Sequence, residues 1–184
     1  MKKILLLLLV VPLISYSQEF EVKDWRVNTA LGFSVGFLTE NTRSNNVHGL
    51  IGVLFKDKIE LRGDSYYFLN NIGERPRFSK NHQIMAGAFY HFLSQKFQPY
   101  FGLQTGVAFS QSSEFGAINA ETGVIEYKIT VNPIVSVAGG LTLYAQKWFM
   151  IFVEARQNFG KHKSNVYPIY LDEFRLSFGF GFTF

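Results

Sequence analysis

Glu173 to Phe184 reads EFRLSFGFGFTF. Phe174, Leu176, Phe178, Phe180, Phe182 and Phe184 alternate with Glu173, Arg175, Ser177, Gly179, Gly181 and Thr183. Successive side chains of a β-strand point to opposite faces. This segment therefore reads as a strand with one wholly apolar face and one face that is small or charged.

The pattern recurs along the chain. Val27, Thr29, Leu31, Phe33, Val35 and Phe37 form one face, and Arg26, Asn28, Ala30, Gly32, Ser34 and Gly36 the other. Six further candidates lie between these two, near Val47–Lys56, Ile59–Phe68, His82–Phe92, Pro99–Ser110, Asn132–Ala145 and Trp148–Asn158. The connections alternate in length. Lys56-Asp57-Lys58, Ser94–Gln98 and Gln146-Lys147 are short, whereas Leu38–Asn46, Leu69–Asn81, Gln111–Val131 and Phe159–Asp172 are long. Short turns at one end and long loops at the other, with an even strand number, describe an up-and-down barrel that crosses an outer membrane. The expected fold is all-β: a membrane-spanning antiparallel barrel of eight strands, with ten as the alternative if Val124–Val131 forms its own hairpin. Pro133 cannot donate to a ladder, so it is expected to mark the start of the membrane part of the sixth strand.

A soluble barrel with an apolar interior would show the same alternation, so the polar face has to decide which side is wet. Its charges are Arg26, Glu60, Arg62, Asp64, Glu154, Arg156, Glu173 and Arg175, set among Gly, Ser and Thr. A water-facing surface usually carries many Lys and Glu and few Gly. Small residues with a few opposite charges suit a narrow interior, and eight strands leave only enough width for side chains to fill it. These eight residues are expected to form a lumen charge network that plugs the barrel. Trp25, Tyr66, Tyr67, Tyr90, Tyr100, Tyr144 and Trp148 lie near strand ends and are expected in the aromatic girdles at the two membrane interfaces.

Composition agrees. Of the 184 residues 17% are charged and 17% aromatic, with twenty Phe, against roughly 25% charged in ordinary soluble domains. Residues 1–17 read as a signal peptide: Lys2 and Lys3, then an apolar run from Ile4 to Ile14, then Ser15 and Ser17 before a cut at Gln18. That run is short of the ~20 apolar residues a spanning helix needs. Residues 18–184 then form the barrel domain. There is no Cys, which excludes disulfides, a thiol nucleophile and a lipid-modified cysteine. Without Lys2 and Lys3 the chain has 16 basic against 14 acidic residues, too mild a balance for nucleic-acid binding.

At its C-terminus the chain resembles outer-membrane proteins handled by the barrel assembly machinery. Ser177, Gly179, Phe182 and Phe184 match the pattern of their terminal strand, which would pair with an edge of that machinery through main-chain bonds. Over Gln18–Phe184 the pattern resembles the outer-membrane β-barrel domain family that includes the OmpA/OmpX-type small barrels. The resemblance implies an outer-membrane location, contact with outer-membrane lipids and lipopolysaccharide, a monomer, and no cofactor.

Catalytic signals are sparse. His162-Lys163-Ser164-Asn165 with Glu173 downstream resembles the His-x-Ser-Asn stretch of lipid A deacylases, where such a trio acts as base, nucleophile and orienting acid. A solvated loop is the favoured reading, and no enzymatic role is expected. His48, His82 and His91 lie on separate strands without metal-ligand spacing. Arg43, Arg75, Arg77, Lys80, Lys161 and Lys163 lie in or beside long loops, where they could meet lipopolysaccharide phosphates, with Glu40, Glu74, Glu114 and Glu121 interspersed. The expected role is structural or surface interaction. A transporter or porin-like channel, a lipid A-modifying enzyme and a soluble secreted binding barrel are the alternatives.

Overall fold

The computed structural model describes residues 24–38, 42–73, 78–93, 96–113, 117–118, 121, 123, 125–163 and 169–184. The strands are β1 (Trp25–Phe37), β2 (Arg43–Phe55), β3 (Ile59–Ile72), β4 (Phe78–His91), β5 (Phe97–Ser112), β6 (Ala117–Ile118), β7 (Ile125–Glu126), β8 (Ile129–Tyr144), β9 (Phe149–His162), β10 (Ile169–Tyr170) and β11 (Glu173–Thr183). Pairing runs β9-β11-β1-β2-β3-β4-β5-β8, and β8 pairs in turn with β9, so eight antiparallel strands close a barrel. Closure gives each barrel strand a neighbour on both sides and leaves no sheet edge, as hydrocarbon surroundings require.

β6 and β7 form a separate two-stranded sheet outside the barrel. The hairpin expected from Val124–Val131 therefore exists in part, through Ile125–Glu126, and adds nothing to the barrel. Ile129 to Val131 instead lengthen β8. β10 is a two-residue strap that pairs Ile169 with His162 and Tyr170 with Lys161.

Strands exceed the expected lengths chiefly at the long-loop end. β2 begins at Arg43 and β3 runs to Ile72, so polar stretches such as Ser44-Asn45-Asn46 and Asn70-Asn71 belong to strands. Their low strand preference is overridden by ladder pairing, as in Ser44↔Asn71 and Asn45↔Asn70. Pro133 lies inside β8, facing Val107 of β5. The β8–β9 ladder begins only at Ile134↔Gly160, so the proline occupies the last position that asks nothing of its missing N–H.

The β2–β3 turn shows why one connection is so short. Lys56 and Asp57 have φ of 47° and 56°, and Lys58 N donates to Phe55 O at 2.9 Å. The last ladder pair is Phe55↔Ile59, so three residues make the connection, and its two consecutive left-handed residues supply the twist a tight hairpin needs. Asp tolerates that conformation well, and here its carboxylate is also fixed by an ion pair with Arg26.

Burial alternates along the membrane part of the barrel strands. In β3, Glu60, Arg62, Asp64, Tyr66 and Phe68 are buried, while Ile59, Leu61, Tyr67 and Leu69 are exposed. In β11, Phe174, Leu176, Phe178, Phe180 and Phe182 lie outside. The apolar face therefore points outward and the polar face inward, the reverse of a soluble barrel.

Candidate functional site

The inward residues of β3, β5 and β9 meet midway along the lumen. Glu154 and Arg156 share the inward face of β9 because they are two residues apart, and Arg156 Nη2 lies 2.8 Å from Glu154 Oε1 and 3.2 Å from Asp64 Oδ2. Arg62 donates through Nε to Asp64 Oδ2 at 2.9 Å and pairs through Nη2 with Glu154. Two guanidinium groups and two carboxylates thus form a crossed quartet between β3 and β9. Its remaining positions are filled by neighbours. Gln104 Nε2 donates to Asp64 Oδ2 at 2.6 Å, Tyr100 Oη to Glu154 Oε2 at 3.0 Å, and Arg156 Nη1 to Ser136 Oγ at 2.9 Å. His48 Nε2 is 2.7 Å from Asp64 Oδ1. Arg62 also lies 3.8 Å from the centre of the Phe89 ring, a cation–π contact.

Two smaller groups flank the quartet. Toward the long-loop end Arg175 pairs with Glu173, and Ser44 donates to the same carboxylate. Arg175 Nη1 donates to Gln83 Oε1 at 3.2 Å, and its guanidinium lies 4.1 Å from the Tyr66 ring centre. Toward the short-turn end Arg26 pairs with Asp57, while Glu60 accepts from Asn28 at 3.1 Å and lies 3.3 Å from His91 Nε2. All eight charges read from the sequence are buried inside the barrel. They are brought together in three groups rather than one; Arg62 Nη1, 4.0 Å from Glu60 Oε2, links the quartet to the short-turn group.

Glycines make room for these side chains. A Cβ on Gly52 would stand 2.6 Å from Glu60 Oε1, and one on Gly140 would meet the Val153 carbonyl oxygen and stand 2.6 Å from Tyr100 Oη. Both are closer than real Cβ atoms come to a neighbour.

The girdle expectation needs correcting. Trp25, Tyr67, Tyr90 and Trp148 are exposed on the outside, but Tyr66, Tyr100 and Tyr144 are buried in the lumen. Parity explains the difference. Tyr66 shares the face of Asp64, and Tyr100 that of Gln104, and their phenol groups donate to Glu154. Asp57, His48, Gln104 and Gln83, not among the expected lumen residues, are buried there as well. The last three were legible from the same parity. Asp57 was not, because it belongs to a turn.

His162 ends β9 with its ring buried, its Nδ1 2.7 Å from Ser110 Oγ and 3.0 Å from Thr130 Oγ1. Ser164 and Asn165 lie outside the described residues. Glu173, the candidate acid, is engaged by Arg175 and Ser44. His48, His82 and His91 stay apart, on Asp64, the Phe68 N–H and Glu60 respectively. Arg43, Lys80, Lys161 and Lys163 are exposed at the long-loop end, whereas Arg75 and Arg77 lie outside the described residues, as do Glu40, Glu74 and Glu114. In the terminal strand Ser177 faces the lumen and donates to Ser34 Oγ at 2.9 Å. Phe182 faces outward and stacks on Trp148 at 5.8 Å, and Phe184 is exposed.

A closed eight-stranded barrel with a charged lumen and an apolar outer face is the build of the small OmpA/OmpX-type outer-membrane barrels, and solved structures similar to this chain are of that kind. Neisserial surface protein A is 16% identical with a TM-score of 0.60, over 88% of this chain and 98% of that one. OprG of Pseudomonas aeruginosa is 11% identical with a TM-score of 0.59, over 89% and 97%. The N-terminal β-barrel domain of Pseudomonas aeruginosa OprF is 18% identical with a TM-score of 0.53, over 89% and 100%. No family model and no curated relative matches the chain.

Proposed function

We propose that this chain is an integral outer-membrane protein with a structural or surface-interaction role, exported by a signal peptide over residues 1–17 and plugged along its lumen by side chains. The observation that carries the reading is the sign of the two barrel faces. Leu31, Ile51, Leu61, Leu103, Val153 and Phe178 are between 49% and 60% exposed on the outside, while Arg156 and Arg175 are at 1% or below on the inside. A soluble monomer rarely exposes a contiguous apolar patch beyond a few hundred Å², and here such residues recur on every barrel strand. Hydrocarbon is the environment that makes this outer face favourable.

Fractionation joined to a gel run with and without boiling tests it. The protein is expected in the outer-membrane fraction, with a mobility that changes on boiling. Recovery in the aqueous fraction would overturn the reading. Plugging is supported by the quartet that joins β3 to β9 across the interior, and it is tested by planar-bilayer recording: a stable large conductance would instead favour a transport role.

The partners follow from chemistry. Exposed Arg43, Lys80, Lys161 and Lys163 at the long-loop end suit lipopolysaccharide phosphates. Ser177, Gly179, Phe182 and Phe184 suit strand pairing with the barrel assembly machinery during insertion. The protein acts as a monomer without cofactor or enzymatic activity. Incubation of the purified protein with lipopolysaccharide should release no fatty acid. Release that Ser164→Ala abolishes would restore the deacylase reading.

A further inference from the structure

The buried charges of the lumen are unequal in number. Among the described residues four guanidinium groups are buried, those of Arg26, Arg62, Arg156 and Arg175, against five carboxylates, those of Asp57, Glu60, Asp64, Glu154 and Glu173. No described lysine is buried; Lys96, at the short-turn mouth, is half-buried. A charge without its counterpart is costly where water is scarce. The interior therefore favours one further positive charge.

The ion pairs show which carboxylate lacks a cation. Arg26 pairs with Asp57 and Arg175 with Glu173, while Arg62 and Arg156 share Asp64 and Glu154. Glu60 has no guanidinium of its own. Its nearest is Arg62 Nη1 at 4.0 Å, and that group belongs to the quartet. Glu60 instead accepts from Asn28 Nδ2 through Oε1 at 3.1 Å and meets His91 Nε2 through Oε2 at 3.3 Å.

His91 is held firmly. Its backbone N–H donates to Lys58 O at 2.7 Å, and its ring lies 5.3 Å from that of Tyr100. With Nε2 turned to Glu60, the other ring nitrogen, Nδ1, has no partner among the described residues. Tyr100 stands opposite His91 in the β4–β5 ladder. Gln98 shares the inward parity of Tyr100, and so takes the diagonal place beside His91, within reach of a long side chain. Gln98 is fully buried, and neither its amide oxygen nor its amide nitrogen has a partner among the described residues. A neutral imidazole leaves Nδ1 and Gln98 Oε1 as two acceptors with no donor between them. A proton on Nδ1 makes that nitrogen a donor to Gln98 Oε1, and it brings Glu60 the positive charge it lacks.

The other groups around His91 do not compete. From β3 comes Arg62, from β1 Arg26 and from the β2–β3 turn Asp57, all engaged in pairs already. From β5 comes Tyr100 and from β8 Tyr144, phenols that are uncharged at neutral pH. On β4 itself the inward neighbour is Phe89. His48 is the other buried histidine on a carboxylate, but its Asp64 is already held by two guanidinium groups and Gln104.

We propose that the short-turn end of the lumen is a proton-binding site, in which His91 carries a proton between Glu60 and Gln98. The site goes beyond the structural role argued above and couples the barrel to the pH of the water at that end. The folded chain then holds this proton more tightly than the unfolded chain does. The stability it contributes is full below the ordinary histidine range and is lost as pH rises through the folded site's own titration.

The test is nitrogen NMR of the full-length protein in detergent, with isotope-labelled histidine rings and His91→Gln to assign the His91 signals. At about pH 7.5, a unit above the ordinary histidine value, both ring nitrogens of His91 should carry hydrogen. Glu60→Gln removes the fifth carboxylate and should return the ring to its neutral form at the same pH. Gln98→Leu takes away the acceptor for Nδ1 and should lower the pH at which His91 loses its proton. The boiling-dependent gel shift shows which variants are folded. The unfolding temperature should fall from about pH 6 to about pH 9, and fall less in His91→Gln. A neutral His91 ring in the parent at about pH 7.5, with or without a charged His48, overturns the proposal. So does a ring that stays charged in folded Glu60→Gln. Either failure leaves the outer-membrane reading intact, because fractionation tests that separately.

Discussion

Arg156 Nη2 and Glu154 Oε1 stand 2.8 Å apart, although the two residues are neighbours but one on the same strand. An exposed pair of this kind contributes little. Inside the barrel both are buried, and each also reaches β3, Arg156 through Asp64 and Glu154 through Arg62. Removing one member leaves charge without its counterpart, and this commonly costs about 3–5 kcal/mol. Arg156→Ala is therefore expected to lower the unfolding temperature in detergent, followed by circular dichroism or the boiling-dependent gel shift. An unchanged transition would show that the quartet does not hold the barrel together.

Gly140 makes the same point by close approach. Its missing Cβ leaves room for the Val153 carbonyl oxygen on the neighbouring strand and for the Tyr100 hydroxyl, which donates to Glu154. Gly140→Ala should cost about 1–3 kcal/mol, the usual range for overpacking. Adding Tyr100→Phe, which removes the crowded oxygen, should return part of that loss. If the double variant is weaker than the sum of the single ones, the crowding account fails.

His82 is expected to act locally. It supplies the acceptor for the Phe68 N–H where the β3–β4 ladder has ended. His82→Ala should speed amide exchange at Phe68 and its neighbours in 67–72, while β1, β9 and β11 keep their protection. An unsatisfied buried donor costs roughly 1–3 kcal/mol, an amount this short segment would show in exchange rates. Equal protection in both proteins would mean that the bond contributes nothing.

Phe184 separates assembly from stability. It follows directly on β11, exposed, with its own N–H donating to Val27 O. Phe184→Ala should lower the yield of barrel in the outer membrane, yet refold from denaturant into detergent as the parent does. Impaired refolding in detergent would make the residue a stability determinant instead.

What the sequence disclosed, and what it withheld, follows from side-chain period. Alternation in EFRLSFGFGFTF and its seven counterparts is enough to read eight strands and their outward faces, because period 2 survives any change in loop or length. The lumen charges were readable for the same reason, since Glu60, Arg62 and Asp64 share one parity. Tyr66, Tyr100 and Tyr144 turn inward because strand parity, not nearness to a strand end, decides which face a side chain takes. Asp57 could not be read inward, as turns have no alternation. The early end of the β3–β4 ladder leaves no local signal either, because bulges at Leu69 and Ser79 depend on which partner each strand keeps.

The central claim is that the phenylalanine-bearing face touches hydrocarbon, and nitroxide labels test it most directly. Single cysteines at Leu31, Leu61, Leu103 and Phe178, labelled and reconstituted in lipid vesicles, should collide readily with oxygen, which concentrates in the bilayer, and only rarely with a water-soluble nickel chelate. Frequent collision with the chelate at all four sites would place that face in water and contradict the account.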